Sequence, residues 1–553
     1  MSSPAEPNPD LIERRRKFHR FFFDWCLARA EGCLKDHADD DAANWLLVAA
    51  RSADTFGCGQ LASARLEAIG LALGERIPRP VPPPCSGQQR WLHVVSIGYA
   101  VGGHSTMLRR WVENDNSDDE HHLALTFMTD LAVPELRQAF ESSGGNVTTL
   151  GGVPTLMERA RRLRELAWRQ ADRVVLHVHM WDIVPLIAFG IPGGPPVLAL
   201  NHADHTFWVG AAIADRIINL RPAGEDLTVR YRGVERNFLL PILLPDPGDR
   251  LAAVQRRNAT RNALGIPAGA LVFLTIGAAF KYRALGGLDF LGMVRKLLAA
   301  LPEAYLVAVG PGAASPGWAT AVHALAPRLI PLGPQHPVTG YHAAADIYLE
   351  GFPFDSATAL LEASVAGLPV VRIPACAALP FSAHHFPLSV VAQPADVCGY
   401  LAQAIALAAS PELRASTSAR LHAAVVGFHC GEPWRRRLSE LKLAVPDEHS
   451  LYGIHPVELA PELDRFWTAF LMLRYPRHPL LIAVGHAAEL QLDMRVDLAL
   501  ARAATAIDRA FSPRRSIGWL MWMSGGLAGK ALRARWALRR GWAARRRRAQ
   551  LEG

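Results

Sequence analysis

The densest chemistry in this 553-residue chain lies in the segment ADIYLEGFPFDSATALLEASVAGLPVVRI. An apolar run ends at Glu350, a proline-containing loop follows, and Ser356-Ala357-Thr358 opens a helical stretch. Hydroxyl side chains at a helix start, beside its free N–H groups, form a cradle for phosphate. Glu362 follows Thr358 by four residues, about one turn further on, where a carboxylate can accept from both ribose hydroxyls. Gly367 then ends the helix and Pro369 opens the next buried strand. Upstream, the run LVFLTIG leads into AAFKYRALGG, placing Lys281 and Arg283 just beyond a strand end. Two cations there would neutralise a diphosphate, although a solvated basic loop is the simpler explanation of that pair taken alone.

The first half of the chain carries three further polar clusters, each after an apolar run. LNHADHTFW packs Asn201, His202, Asp204 and His205 into five residues. Buried polar groups need partners, so such a cluster suits a general base or a donor to a sugar hydroxyl. A capping cluster with Asp204 as N-cap is the competing explanation. LHVHMWD sets His177 and His179 on one strand face. No third ligand stands at metal spacing, so His177 reads as a core histidine, with His179 and Asp182 lining a cleft. In SIGYAVGGHST, Gly102 and Gly103 permit close backbone approach, and Gly103 to Thr106 would open a helix suited to an anion. An ordinary glycine turn has equal claim there.

These residues need elements to position them. Residues 10–73 read as helices, with apolar positions recurring every three or four residues, and the proline-rich run 78–89 reads as a linker. Strands are predicted at 91–97, 123–128, 173–178, 196–200 and 216–220, with amphipathic stretches between them. After prolines 241, 245 and 247 a second series follows at 271–277, 304–310, 328–333, 346–351 and 368–373. Alternation of this kind predicts parallel sheets covered on both faces, and ligands then bind at the carboxyl ends of strands. The expected organisation is a helical region 1–77, the linker, α/β domains at 90–245 and 246–445, and a helical region 446–553.

Half the residues are hydrophobic and 20% are charged, a globular composition too long for one core. The seven Cys form no CxxC, which points to reduced thiols and a cytoplasmic setting rather than zinc or disulfides. No apolar window reaches membrane-spanning length, and the N-terminus has no secretory pattern. Eleven Lys or Arg and no acid fall in 514–548, so the net charge of +8 belongs to that stretch and the rest is mildly acidic. Its interleaved tryptophans suit peripheral contact with an anionic membrane face, against nucleic acid or a solvated terminus as rivals.

Taken together, residues 90–440 resemble glycosyltransferases of the GT-B fold: α/β, two Rossmann-like doubly wound domains facing a cleft, with helical N- and C-terminal extensions. LHVHMWD followed by ALNHADHTF resembles family-4 enzymes, in which a histidine facing the transferred sugar maps onto His202. GFPFDSATALLEASVAGLPVV is similar to the protein O-linked N-acetylglucosamine transferases and their bacterial relatives. That resemblance implies diphosphate contacts from Lys281, Ser356 and Thr358 and a ribose contact from Glu362. Retaining family-4 enzymes carry two glutamates eight residues apart, whereas Glu350 and Glu362 are twelve apart, which favours inversion. The resemblance implies transfer of a sugar from a nucleoside-diphosphate donor, UDP-linked, to a polysaccharide, lipid-linked glycan or protein. No cofactor or metal is expected, since no Asp-x-Asp stands at a strand end. The expected donor set is Gly103, Lys281, Arg283, Glu350, Ser356, Thr358 and Glu362, and the expected catalytic set is His202, Asp204, His205 and His179. A sugar-nucleotide epimerase or hydrolase of the same fold, or a non-catalytic binding subunit, are the alternatives.

Overall fold

Apolar runs of about five residues separated by helix-length segments can pair only in parallel, because each return crosses a face of the sheet. The structure, a computed structural model, describes residues 8–81, 89–98, 103–131, 133–246, 248, 250–375 and 387–474. The first sheet comprises β1 (Arg90–Val95), β2 (Glu120–Leu125), β3 (Val147–Thr149), β4 (Arg173–His177), β5 (Val197–Asn201), β6 (Arg216–Asn219) and β7 (Asn237–Leu239). Its order is β3-β2-β1-β4-β5-β6-β7, every pair parallel. The second comprises β8 (Val272–Ile276), β9 (Tyr305–Val309), β10 (Leu329–Pro331), β11 (Ile347–Leu349) and β12 (Val370–Val371), in the order β10-β9-β8-β11-β12 and again parallel. These are two Rossmann-like doubly wound layers, as the alternation predicts. Strands β3 (VTT) and β7 (NFL) are edge strands with no fully buried residue, so no apolar run marks them in the sequence.

Strand order reverses between β1 and β4 in the first sheet and between β8 and β11 in the second. A crevice opens at such a switch point, because the flanking crossover helices lie on opposite faces. The segments after β1, β4, β8 and β11 are therefore the places where this fold can hold a ligand.

The N-terminal helices Pro9–Lys35, Asp39–Phe56 and Ala64–Glu75 start on side-chain or dipole signals. Asn8 accepts from the Asp10 amide, Ser63 accepts from the Leu66 amide, and Asp39 to Asp41 occupy the first turn of the second helix. The leader is docked by buried charge. Arg164, fully buried on helix Leu156–Gln170, donates to the carbonyls of Gly74, Ile77, Ile187 and Ala188. Glu67 accepts from the amides of Gly210, Ala211 and Ala212. The backbones touch at Gly74, where a Cβ would lie 2.8 Å from the Ile187 carbonyl oxygen.

Sequence grouping places residues 246–445 together, but helix Gly431–Ala444 returns to the first sheet. Trp434, Leu438 and Leu441 pack with Trp91, Trp111 and Val175, and Trp434 Nε1 donates to the Pro241 carbonyl at 2.8 Å. This closing helix ties the two sheets together. Trp434→Ala is expected to cost about 3–5 kcal/mol, read as a lowered urea midpoint at constant m-value. A cost under about 1 kcal/mol would show that the helix contributes little to that core.

Helix Pro461–Arg474 packs Trp467, Phe470 and Leu471 into the core of the second sheet, while Arg16 of the leader pairs with its Asp464 at 2.8 Å. Among the described residues no helix is long and apolar enough to cross a membrane. Cys26, Cys33, Cys58, Cys398 and Cys430 are free thiols. The linker residues 82–88, the loop 99–102 and the basic stretch 514–553 lie outside the described residues.

Candidate active site

At the second switch point, β8 ends at Ile276 and the chain turns through Gly277 into a short 3-10 turn, Ala279–Tyr282. A Cβ on Gly277 would lie 2.7 Å from Ser356 Oγ and 3.1 Å from the Tyr282 hydroxyl, so only glycine lets the two loops approach this closely. Beyond β11 the chain runs through Glu350 to Asp355, with Ser356 at the N-cap position of helix Ala357–Val365. Ser356 makes no capping hydrogen bond of its own. Instead, Lys281 Nζ donates to Ser356 Oγ at 3.3 Å and to the Asp355 carbonyl at 2.7 Å. The ammonium lies 5.3 Å from the centre of the Phe354 ring. Burial lowers the Lys281 pKa and nearby Asp355 opposes that shift.

Thr358 is half-buried one residue into the helix. Glu362, one turn on, is 3.9 Å from the guanidinium of Arg110, which belongs to helix Gly103–Asn114 over the first sheet. Burial raises the Glu362 pKa and Arg110 counteracts it. Helix Ala357–Val365 of the second sheet thus meets the first crossover helix of the first sheet across the cleft.

Two expected donor contacts are turned elsewhere. Glu350 is buried, its Oε2 accepting from the Ile373 amide at 2.6 Å and its carbonyl from the Tyr400 hydroxyl at 2.8 Å. Burial, reinforced by neighbouring Asp355, pushes its pKa up to about 8. The side chain holds the loop from behind rather than facing a ligand. Arg283 donates to the Leu473 carbonyl and is committed to helix Pro461–Arg474.

On the first sheet, His177 is buried in a line of imidazoles crossing the sheet from β4 through β1 to β2. His93 lies 2.9 Å from His177 and 2.9 Å from His121, whose Nε2 lies 3.3 Å from Asp115. Asp182, expected to line the cleft, is buried instead and accepts from Ser96, Thr126 and the Val184 amide. His179 is half-buried, its amide on Ser96 Oγ and its ring 5.5 Å from Trp181. Gly103 is the first residue of its helix.

The loop after β5 reaches across the cleft. His202 is half-buried beside Asn201, whose amide donates to Asn219. Asp204 is no helix cap: both its oxygens grip Arg221, at 2.6 and 2.9 Å. The third nitrogen of Arg221 donates to Asp355 Oδ2 at 3.0 Å. Burial would raise the Asp204 pKa, but the guanidinium holds it well below the usual carboxylate range. His205 Nδ1 lies 3.2 Å from Asp204, and its ring is 5.1 Å from Phe354 and 5.3 Å from Trp467. Burial lowers the His205 pKa while Asp204 acts to raise it. Asp204, His205, Lys281 and Ser356 therefore form one connected cluster.

Arg221, Asp355, Arg110 and Trp467 escape the sequence reading. Arg221 stands two residues beyond the strand RIIN, so the strand-end rule that picked out His202 applies to it as well. Trp467 carries no such signal, because its helix arrives from the far end of the chain.

No family model matches the chain, and no curated protein matches it in sequence. Among solved structures, it is similar to HepE of Anabaena in complex with UDP and glucose, at 13% identity and a TM-score of 0.48, covering 64% of this chain and 100% of that one. It is also similar to a mutant O-GlcNAc transferase of Thermobaculum terrenum, at 17% identity and a TM-score of 0.45, covering 84% of this chain and 86% of that one. A UDP-GlcNAc 2-epimerase of Neisseria meningitidis bound to UDP-GlcNAc matches at 12% identity and a TM-score of 0.39, over 64% of this chain and 98% of that one. The likeness is one of fold. At these scores no residue role passes from those proteins to this chain.

Proposed function

We propose that this chain is a glycosyltransferase that takes its sugar from a nucleoside-diphosphate donor, UDP-linked, and passes it to a glycan, lipid-linked or protein acceptor. The observation that carries the proposal is the meeting of Lys281 with Ser356 at the second switch point, opposite the His205 loop of the first sheet. In this reading the donor diphosphate displaces the Asp355 carbonyl and Ser356 hydroxyl from the lysine and takes their place. The free amides of helix Ala357–Val365 and the Thr358 hydroxyl supply further donors, so charge on the departing phosphate is met by groups already oriented. Glu362 takes the ribose, with Arg110 neutralising it from the opposite wall.

His205, or His202 on the same loop, accepts the acceptor proton, and the burial-lowered pKa keeps His205 in the neutral form a base requires. Closure of the two sheets over the donor excludes water, whose attack would be hydrolysis. Thermal-shift screening with UDP-, GDP- and ADP-sugars tests the donor: a rise in Tm of several degrees with one nucleotide class is expected. No rise with any of them overturns the donor site. The epimerase or hydrolase alternative is separated by donor turnover without acceptor, which a transferase shows only slowly. A peripheral membrane location through residues 514–553 is part of the proposal, and equal flotation with anionic vesicles after their deletion ends it.

A further inference from the structure

Arg221 joins the loop after β5 to Asp355, which lies 134 residues beyond the arginine in the chain. It stands in extended conformation just ahead of Pro222, which opens helix Pro222–Arg232, so its side chain leaves the end of β6 toward the cleft. A planar guanidinium has separate edges for separate acceptors. Here Nε and Nη2 take both oxygens of Asp204 and Nη1 takes Asp355. Asp204 is 5% exposed and Asp355 7%, so water does little for either charge. Asp204 in turn touches His205, and Asp355 offers its carbonyl to Lys281.

We propose that Arg221 is a positioning residue that makes the base-bearing loop after β5 and the diphosphate-facing loop after β11 one electrostatic unit, holding His205 neutral by saturating Asp204. Its catalytic meaning rests on the glycosyl-transfer reading; its geometry does not. The charged groups around His205 come from four elements. Asp204 lies on its own loop, and Arg221 and Arg232 lie at the two ends of helix Pro222–Arg232, with Arg232 donating to the Asp204 and Thr206 carbonyls. Asp355 faces it from the second sheet, with Lys281 behind, and Asp54 of the leader reaches the loop through Thr206. Helix Pro461–Arg474 presents the Trp467 ring. With the guanidinium in place, the Asp204 charge is spent on Arg221 and the imidazole gains little from becoming cationic. Without it, an unpaired buried carboxylate 3.2 Å from Nδ1 favours the imidazolium.

The test is the titration of His205 in the full chain labelled with carbon-13 at histidine Cε1, the resonance being assigned by its loss in His205→Gln. In Arg221→Met the midpoint moves to higher pH, and in Asp204→Asn it moves to lower pH. Arg221→Lys keeps a charge but loses the fork, so its midpoint falls between wild type and Arg221→Met. Near-UV circular dichroism establishes which variants are folded. If Arg221→Met does not fold, Arg221→Lys and Asp204→Asn decide by moving in opposite directions. An unmoved midpoint in the folded variants, or displacement in the same direction, overturns the proposal. The failure of the functional reading looks different: no nucleotide raises Tm, while the midpoints still move as stated. Where transfer is measurable, the acid limb of its pH–rate profile follows the His205 midpoint, a displacement that a purely structural arginine would not produce.

Discussion

Lys281→Met is expected to lower sugar transfer by about 10²–10³-fold while leaving the fold intact. The side chain is the cation that directly faces Ser356, and the negative charge released when a glycosyl bond to phosphate breaks must be met by groups of this kind. In water an ammonium gives little; in a partly desolvated crevice beside the Phe354 ring its field is much less screened. Methionine keeps the length of the stem and its packing but removes the charge. Burial already disfavours the charged amine, as its lowered pKa shows, so stability is expected to hold or rise slightly. The checks are kcat with saturating donor and acceptor, the Tm of the free protein, and the nucleotide-induced rise in Tm. Unchanged kcat in a folded Lys281→Met would place the diphosphate elsewhere. A fall in kcat with the nucleotide-induced Tm rise retained would show that the lysine acts on the departing charge more than on donor binding.

Arg164→Leu is expected to cost about 3–5 kcal/mol and to loosen the N-terminal helices from the first sheet. Arg164 meets four backbone carbonyls, at 2.5 to 3.0 Å, from the leader and from the helix Val184–Ala188 that it touches. Burial lowers its pKa to about 10, which still leaves the guanidinium charged at neutral pH. Leucine fills most of the volume yet supplies no donor. The Gly74 carbonyl keeps the Ile77 amide, but the Ile77 and Ala188 carbonyls lose their guanidinium donors in a place closed to water. Urea unfolding reads the cost, and limited proteolysis reads the location, with early cleavage expected inside residues 9–75. A loss below about 1 kcal/mol with the leader still protected would show that the apolar contacts of Leu66, Ile69 and Leu73 suffice to hold it.

The leader also reaches the loops after β4 and β5. Arg51 of its second helix lies 3.8 Å over the Trp181 ring, and the Asp54 carboxyl feels the Thr206 side chain next to His205. Burial pushes the Asp54 pKa up to about 7. The helical N-terminal region is therefore part of the wall of the first crevice, which its sequence, an amphipathic pattern before a proline run, does not disclose.

Local pattern determined much of this protein. Ten of the twelve strands among the described residues follow from apolar runs bounded by turn residues, because a short buried strand must be apolar on both faces and its neighbours must turn. The start of helix Ala357–Val365 and the strand-end positions of Lys281, His202 and His205 follow from the same local rules. Tertiary structure decided which of those polar residues face one another. Glu350 and Arg283 sit at the right local positions, yet partners distant in sequence, Ile373 and Leu473, turn them away. Asp204 has the spacing of a helix cap but is claimed by Arg221, since a buried carboxylate takes the strongest donor within reach. Helix Pro461–Arg474 falls in the expected helical region and helix Gly431–Ala444 does not, and nothing in the residues of either says that one closes the first core and the other brings Trp467 against His205. Periodicity reports which face of an element is apolar; the partner that covers it is chosen by packing over the whole chain.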